Sequence, residues 1–592
     1  MSPARRAAAL DEREYLAAVA KLVEHAWPAG VPREVHYPLG EIPVTEHLRH
    51  EARATPDKTC VLYYGYRLTY AELDEASDRF AAFLEARGLV RGDRVAVLLY
   101  NCPQYFIVFY GILKLGCVHV PVNPMFKEHE LRYQLADADP RVLVAMDRLH
   151  PLVEAVRGDT NLEAVVVTRF TDYLPSEPGL PLPKLLQEPP RACPGALELP
   201  ELLAGHGPGF TRPAPSLDDL ASINYTGGTT GMPKGCMHTQ RNMLHACTAG
   251  RVTYLRPGAS PRDIRTVSYV ASFWISGQLR LIETVLTGST LIYFARWDAE
   301  AVLQAIASYR ATHLSGPLDT IVELMERPDI ERRDLSSLEV TTCTSFVKKL
   351  NLGYRRRWRE LTGITLHESS FGMTETHTWD TFTTGMQDGD LDLKSTPIFV
   401  GLPTAGTRYK IVDRDRGRLV PLGEEGEIVV SSPSLMKGYW RDPEKSAEQI
   451  RDGWFRTGDI GMIDERGYLH YLGRDKEMLK VKGMNVYPFE LEGLLGHHPA
   501  IAGSAVVGRA DRERGEVPVA FVKLAPGCEA TTGDEIGTWC RDNMATYKVP
   551  EIRIVDEFPL TEVGKVSKAR LRQWLRDGAA DTEVASAYQV ST

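Results

Sequence analysis

The chain has 592 residues, of which 43% are hydrophobic and 25% charged, and a formal net charge of −9. That length exceeds what one hydrophobic core supports, so at least two domains are expected, and the negative balance supplies no general field for nucleic acid. Its nine cysteines contain no Cys-x-x-Cys pair, a pattern of reduced thiols in a cytoplasmic protein rather than a disulfide frame or zinc site.

Residues 1–43 are charged, then proline-rich, and read as a peripheral arm; the first residues hold no apolar core long enough for an export signal. Thr69 to Leu84 carry apolar side chains at helical spacing, and Arg94 to Tyr100 form a continuous apolar strand. Phe106 to Leu113 is too short to span a bilayer, is bounded by Gln104 and Lys114, and reads as a buried helix. A helix end then runs through Gly116 into a short strand before Pro124, and Arg141 to Ala145 follows the helix around Leu131. Such alternation predicts an α/β domain with parallel strands covered on both faces.

Residues 173–216 are dense in proline, lack periodicity and read as an excursion with no assigned chemistry. Peripheral contact with a membrane surface or partner is one use for them; an ordinary packed loop is the simpler one. Alternation resumes at Ile223, with a strand at Ser289 to Phe294 and a helix at Ala301 to Ala307. From Val400, short strands with Gly and Asp turns predict a small β subdomain over 400–475, which completes a large domain over 44–475. Residues 476–578 alternate short helices and strands and end in a helix from Ser567 to Arg576, enough for a smaller α+β domain; 579–592 are expected to be a disordered tail.

The segment Tyr225-Thr-Gly-Gly-Thr-Thr-Gly-Met-Pro-Lys-Gly235 cannot be a helix or strand interior. Its glycines let backbone N–H groups surround an anion, the hydroxyls of Thr226, Thr229 and Thr230 add donors, and Lys234 supplies a point charge. That combination suits a polyphosphate. It is not the Gly-x4-Gly-Lys-Ser/Thr loop, because Pro233 precedes the lysine and no hydroxyl residue follows it.

This block, Phe371-Gly-Met-Thr-Glu375 and Gly473-Arg-Asp-Lys-Glu-Met-Leu-Lys-Val-Lys-Gly483 occur in that order. Together they resemble the AMP-forming adenylating enzymes: acyl-CoA synthetases, peptide-synthetase adenylation domains and beetle luciferases. The resemblance runs from about Val44 to about Leu575 and is closest to acyl-CoA ligases. It implies binding of ATP along Thr226, Gly227, Gly228, Thr229, Thr230, Gly231 and Lys234, and by Thr344 and Ser345. Phe371 would stack on adenine in place of the more usual tyrosine, and Gly372 would let the backbone pass close. Thr374 would donate to the α-phosphate, and Glu375 with Thr226 would hold magnesium. Asp459 would accept the ribose hydroxyls, and Arg474 would reach ribose or phosphate.

By the same resemblance, Lys565 bridges the incoming carboxylate and the α-phosphate from a mobile domain that turns about Lys476. Gly483 would leave room for the thiol arm of CoA, while Lys480 and Lys482 read as solvated. Where many relatives have Ser-Gly-Gly-Ala-Pro-Leu, this chain has Thr342-Cys-Thr-Ser-Phe-Val347, and Phe273-Trp274 stands where Phe-His is frequent. Phe273, Trp274, Gly277 and Phe346 are therefore the expected acyl-pocket residues, with Gln278 beside them and core packing as the plainer role for Trp274. The implied reaction joins a small or medium carboxylic acid to CoA through an acyl adenylate, with ATP consumed. Alternatives are activation of nitrite to diazotise an aromatic amine, transfer to a carrier-protein thiol, or a non-catalytic nucleotide-binding regulator. Retention of Lys565, Glu375 and Asp459 counts against the regulator.

Overall fold

The computed structural model describes residues 11–210, 212–226, 232–251, 260–368, 371–395, 398–561 and 565–577. The helix Pro103–Leu115 is buried at every position, as its continuous apolar sequence requires. It lies against the helix Tyr70–Ala86, which Thr69 and Glu72 close with a reciprocal capping box.

Among the described residues these helices sit between two seven-stranded sheets. One has the order Leu197–Glu198, Ala164–Thr168, Val142–Met146, Arg94–Leu98, Val118–Pro121, Leu220–Tyr225 and Gly235–Thr239. Its strands are parallel except for the last pair. The other runs His367–Glu368, Val340–Thr344, His313–Pro317, Arg265–Ser268, Thr290–Tyr293, Thr59–Tyr63 and Tyr66–Thr69, again with one antiparallel edge. The carboxyl ends of Leu220–Tyr225 and Val340–Thr344 face the cleft described below, the usual position for a site in open α/β sheets.

Three regions differ in detail from the sequence reading. The peripheral arm carries a helix, Glu12–Ala26, whose Tyr15 and Val19 are buried with Tyr409, Ile411 and Phe455 of the β subdomain. Within the proline-rich excursion, Leu197–Glu198 adds a parallel edge strand, and the helix Leu199–Gly205 buries Leu199, Leu202 and Leu203. A two-residue strand is too short to leave a periodic signature. The β subdomain is antiparallel and takes in strands from Ile398–Pro403 to Leu469–Arg474, together with Thr381–Phe382 from the segment after the Phe371–Glu375 motif. After the turn Asp475–Glu477, a five-stranded sheet built on the hairpin Ile501–Asp511 with Gly515–Leu524 forms the C-terminal lobe. Among the described residues no helix is long and apolar enough to cross a membrane.

Candidate active site

Tyr225 and Gly235 are cross-strand partners, so the sheet brings together the two ends of the threonine- and glycine-rich segment. Thr226 N–H donates to the Lys234 carbonyl at 2.9 Å, and Lys234 N–H donates to Thr226 Oγ1 at 3.3 Å. Gly227, Gly228, Thr229, Thr230 and Gly231 lie outside the described residues. Lys234 Nζ sits 5.2 Å from the centre of the Tyr439 ring, and the Tyr439 hydroxyl donates to Glu375 Oε1 at 3.1 Å. One tyrosine thus joins the loop neck to the expected metal-binding carboxylate.

Thr374–Thr376 forms a single 3₁₀ turn, held from outside by Met436 N–H donating to the Glu375 carbonyl at 2.8 Å. The turn is pinned from behind. A Cβ on Gly372 would stand 2.6 Å from Trp379 N, so only glycine lets the two backbone segments meet. His377, Thr378 and Trp379 then follow one another in the left-handed region at φ 59°, 59° and 53°. Each costs roughly 1–2 kcal/mol in an L-residue, and strain of this kind is characteristic of backbone held for function. Phe371 N–H donates to Thr381 Oγ1, and its ring lies 5.7 Å from that of Tyr471.

Asp459 and Arg474 face each other across adjacent strands of the β subdomain, with Arg474 Nε 2.7 Å from Asp459 Oδ1. The contact is an ion pair without the direction of a hydrogen bond, because Asp459 Oδ1 has no hydrogen-bond donor. Burial pushes the Asp459 carboxyl up to about 6, although Arg474 pulls it down. A buried carboxylate with unused acceptor sites can take two vicinal hydroxyls.

Lys565 comes from the C-terminal lobe. Thr561 and Lys565 bond to each other through both main-chain and side-chain atoms, which fixes the start of the segment. The residue is exposed, and its ammonium lies 5.3 Å from the Phe346 ring centre. Burial of that end and the nearby Arg474 lower its pKa, while Asp459 and Glu477 oppose the shift. The lobe therefore brings its lysine against the Phe346 ring, near enough to Asp459 and Arg474 to feel their charge.

Thr344 ends its strand at the cleft, but Ser345 is engaged within the protein: its N–H and hydroxyl both donate to Glu368, at 2.6 Å each. Phe273 and Trp274 are in ring contact at 5.1 Å, and Trp274 caps the helix Ile275–Thr287. Gly277 is buried, and a Cβ there would stand 2.1 Å from the Ala271 carbonyl oxygen, so its missing side chain serves a tight turn. Gln278 is also buried. Lys476 lies in the turn between the lobes, whose Asp475 pairs with Arg414 at 2.6 Å. Gly483 and Lys482 form the hairpin turn between Leu479–Val481 and Met484–Val486, with φ of 81° and 51°.

Tyr439, Tyr471, Glu368 and Trp379 escape a reading of the sequence. None stands in a glycine- or charge-rich pattern, and only the fold brings them to the cleft. Trp379 is the largest of these. Its indole fills the space left by Gly250, where a Cβ would approach Trp379 Cε3 to 1.8 Å, and Arg280 lies 5.4 Å from the ring.

Comparison with known proteins gives the family. The AMP-binding enzyme family matches residues 48–440, and its C-terminal domain matches residues 490–565. The chain belongs to the AMP-binding enzyme family. It is 33% identical over 567 residues to a long-chain-fatty-acid–CoA ligase of Bacillus subtilis, covering 92% of this chain and 96% of that one. A feruloyl-CoA synthase of Amycolatopsis is 33% identical over 541 residues, covering 90% and 98%. Among solved structures, an anthranilate CoA ligase bound to anthranoyl-AMP superposes with a TM-score of 0.78 at 28% identity, covering 91% of this chain and 98% of that one. ATP-bound MatB from Rhodopseudomonas palustris gives 0.75 at 28% identity, covering 90% and 99%.

Proposed function

We propose that this member of the family is an ATP-dependent carboxylic acid–CoA ligase. In the first step a carboxylate oxygen attacks the α-phosphorus of ATP and pyrophosphate leaves, giving an acyl adenylate. In the second, the CoA thiolate attacks the acyl carbon and AMP leaves with the C–O bond electrons. The observation that carries the reading is Lys565, delivered by the C-terminal lobe to the end of the cleft that holds Asp459 and Arg474. A cation placed between two anions stabilises charge where it accumulates during phosphoryl transfer.

In this reading Asp459 takes the ribose hydroxyls, Phe371 lies against adenine, and Thr226, Lys234 and Thr374 meet the phosphates. Glu375, together with Thr226, would be the magnesium ligand. Its carboxylate is satisfied on one oxygen by Tyr439, and among the described residues no three metal-ligating side chains converge. That donor set fits a hard ion held by one carboxylate and the substrate's own phosphates, where it would neutralise phosphate charge. Turning about Lys476 would withdraw Lys565 and bring the open Gly483 turn to the cleft for CoA. Nine unpaired cysteines suit a reducing compartment, and a cytoplasmic location is part of the proposal.

The acid is small or medium in size. Trp379 bridges the helices Gln240–Arg251 and Ile275–Thr287 directly behind the catalytic turn, and Phe273 with Trp274 adds aromatic surface nearby. A long straight chain threading between those helices would have to displace the indole. Pyrophosphate release should be measured against short, aryl, cinnamic-type and long fatty acids, with CoA or with nitrite and an aminoarene. Thioester formed from a compact acid supports the proposal; tight ATP binding with no turnover of any acid returns the chain to the regulator class.

A further inference from the structure

The segment that follows the strand Val340–Thr344 is pressed against the C-terminal lobe. Lys349 Nζ lies 4.3 Å from the centre of the Phe489 ring, well within reach of the ring's negative face. It also donates to the Ser345 carbonyl at 3.4 Å, so the ammonium is anchored on its own domain while it faces the lobe. On its other side Phe489 packs edge-on at 5.1 Å against Tyr471, the ring that touches Phe371. Phe489 is thus held between a cation and an aromatic ring of the large domain.

Two glycines of the lobe let the segment approach. A Cβ on Gly496 would stand 3.0 Å from Lys349 Cβ, and a Cβ on Gly503 would stand 2.9 Å from Val347 Cγ1. Neither glycine is demanded by its own backbone. Gly496 ends the helix Pro488–Leu495 at φ −61° and ψ −13°, where alanine is the better residue, and Gly503 lies inside the strand Ile501–Asp511. What both places lack is room for a methyl group on the face turned to Val347 and Lys349.

The helix Pro488–Leu495 carries this contact onward. Glu492 follows Phe489 by one turn, and its Oε1 lies 2.9 Å from Lys568 Nζ and accepts Val506 N–H at 2.9 Å. Lys568 also pairs at 3.1 Å with Glu477 in the turn between the lobes. It opens the helix Lys568–Arg576, three residues beyond Lys565. One end of this path therefore rests on Lys349 and the other holds the base of the segment that carries Lys565.

We infer that Lys349 is a positioning residue for adenylate formation: its ammonium seats Phe489, and the helix Pro488–Leu495 passes that placement to Lys565 through Glu492 and Lys568. Lys349 acts through Lys565, so the inference rests on the assignment of Lys565 to that half-reaction. Turning of the lobe about Lys476 breaks the contact, and its strength sets the share of molecules with Lys565 in place.

Lys349→Ala removes the cation, Lys349→Arg keeps one that can stack on the ring, and Gly496→Ala pushes on Lys349 Cβ without straining the helix end. ATP–pyrophosphate exchange, thioester formation from a synthetic acyl adenylate and the thermal midpoint should be read for each. Exchange should fall roughly three- to thirtyfold in Lys349→Ala, the range one cation–ring contact supplies, and severalfold in Gly496→Ala. Thioester formation should stay within about twofold in both, and Lys349→Arg should keep most of the exchange rate. An unchanged exchange rate in Lys349→Ala overturns the inference. So does equal loss of both half-reactions with a lowered midpoint and no recovery by Lys349→Arg, which would reduce Lys349 to packing. Seating can also be read without any acid. In a Val347→Cys, Gly503→Cys double variant the close approach of the two side chains should let mild oxidation form a disulfide, severalfold more slowly once Lys349→Ala is added. A disulfide that never forms, or whose rate is unaffected by Lys349→Ala, overturns the inference even if the ligase reading stands. One whose rate depends on Lys349 supports it even if no acid is turned over.

Discussion

The two sides of the cleft handle charge in opposite ways. Lys565, Arg474 and Asp459 bring formal charge to the end proposed to take the nucleotide, Lys565 on a lobe joined to the rest by the turn Asp475–Glu477. Beneath the Thr374–Glu375 turn, by contrast, Asn224, His238, His377 and Asp380 are deeply buried, and burial disfavours charge there: it lowers both histidines and raises the Asp380 carboxyl well above its usual value. A charge is tolerated where solvent or a substrate of opposite sign can meet it, and is strongly destabilising where neither can. The half of the site around the Thr374–Glu375 turn is therefore built from groups whose charge is disfavoured and from strained backbone, and the half proposed to meet the phosphates carries the cations. Each variant below removes one element of that division.

The largest effect is expected at the moving cation. Lys565→Ala should lower adenylate formation by about 10²–10³-fold, the usual consequence of deleting one preorganised group that stabilises transition-state charge. Thioester formation from preformed adenylate should be largely spared. Equal loss of both steps, measured by pyrophosphate exchange and by thioester release, would contradict the assignment of Lys565 to one half-reaction.

Asp459→Asn tests the charged side from the nucleotide's point of view. Loss of a charged acceptor for two hydroxyls should weaken adenosine binding by roughly 2–3 kcal/mol. The wild-type carboxyl titrates near 6 against an ordinary 3.8. Wild-type affinity for adenosine, followed by calorimetry, should accordingly fall as pH drops through 6, and the variant should be flat. Stability moves the other way. Because the folded value lies above the unfolded one, the native state binds the extra proton between about 4 and 6, and stability declines as pH rises through that window. The asparagine variant escapes that decline, so above pH 7 its thermal midpoint should exceed that of the wild type. A lower midpoint would mean that the Arg474 ion pair outweighs the cost of burial.

Much of this arrangement is legible in the sequence because its signals are local. The capped helix at Thr69, the apolar strand from Arg94 and the wholly buried helix around Phe106 each follow from spacing within a few residues. The loop at Thr226, the Thr374–Glu375 turn and the Asp459 and Arg474 pair also stand out by their motifs, and the fold brings them into one cleft. Tyr439, Trp379 and His238 do not. Each depends on a partner far along the chain: Tyr439 on Glu375, Trp379 on Gly250, His238 on Asn224 and His377. A glycine in the helix at 250 has no meaning until an indole occupies the space beside it. The two-residue edge strand Leu197–Glu198 is invisible for a related reason, since it owes its conformation to the strand it pairs with.

Trp379→Ala should extend the range of acids toward longer chains, with ATP affinity changed less than about threefold, and should cost roughly 3–5 kcal/mol of stability as a buried aromatic. If acid preference moves instead with Trp274→Ala, the entrance rather than the groove behind the turn sets chain length. An unchanged preference in both variants would leave the two indoles to the core.

The smallest effect is expected on the moving lobe, and there conformation can be separated from contact. Gly483 adopts φ 81°, and a Cβ added there would meet no atom within 4 Å, so Gly483→Ala adds strain without a clash. It should cost about 1 kcal/mol, read as a small fall in the thermal midpoint of the C-terminal lobe. Pyrophosphate exchange should be untouched, because a Cβ at Gly483 would meet neither Lys565 nor any other atom within 4 Å. A rise in the KM for CoA larger than the stability loss would indicate that the space beside Gly483 is used by the thiol arm. If CoA dependence stays constant, the glycine is explained by its hairpin turn alone, and the second substrate must enter along another face of the lobe.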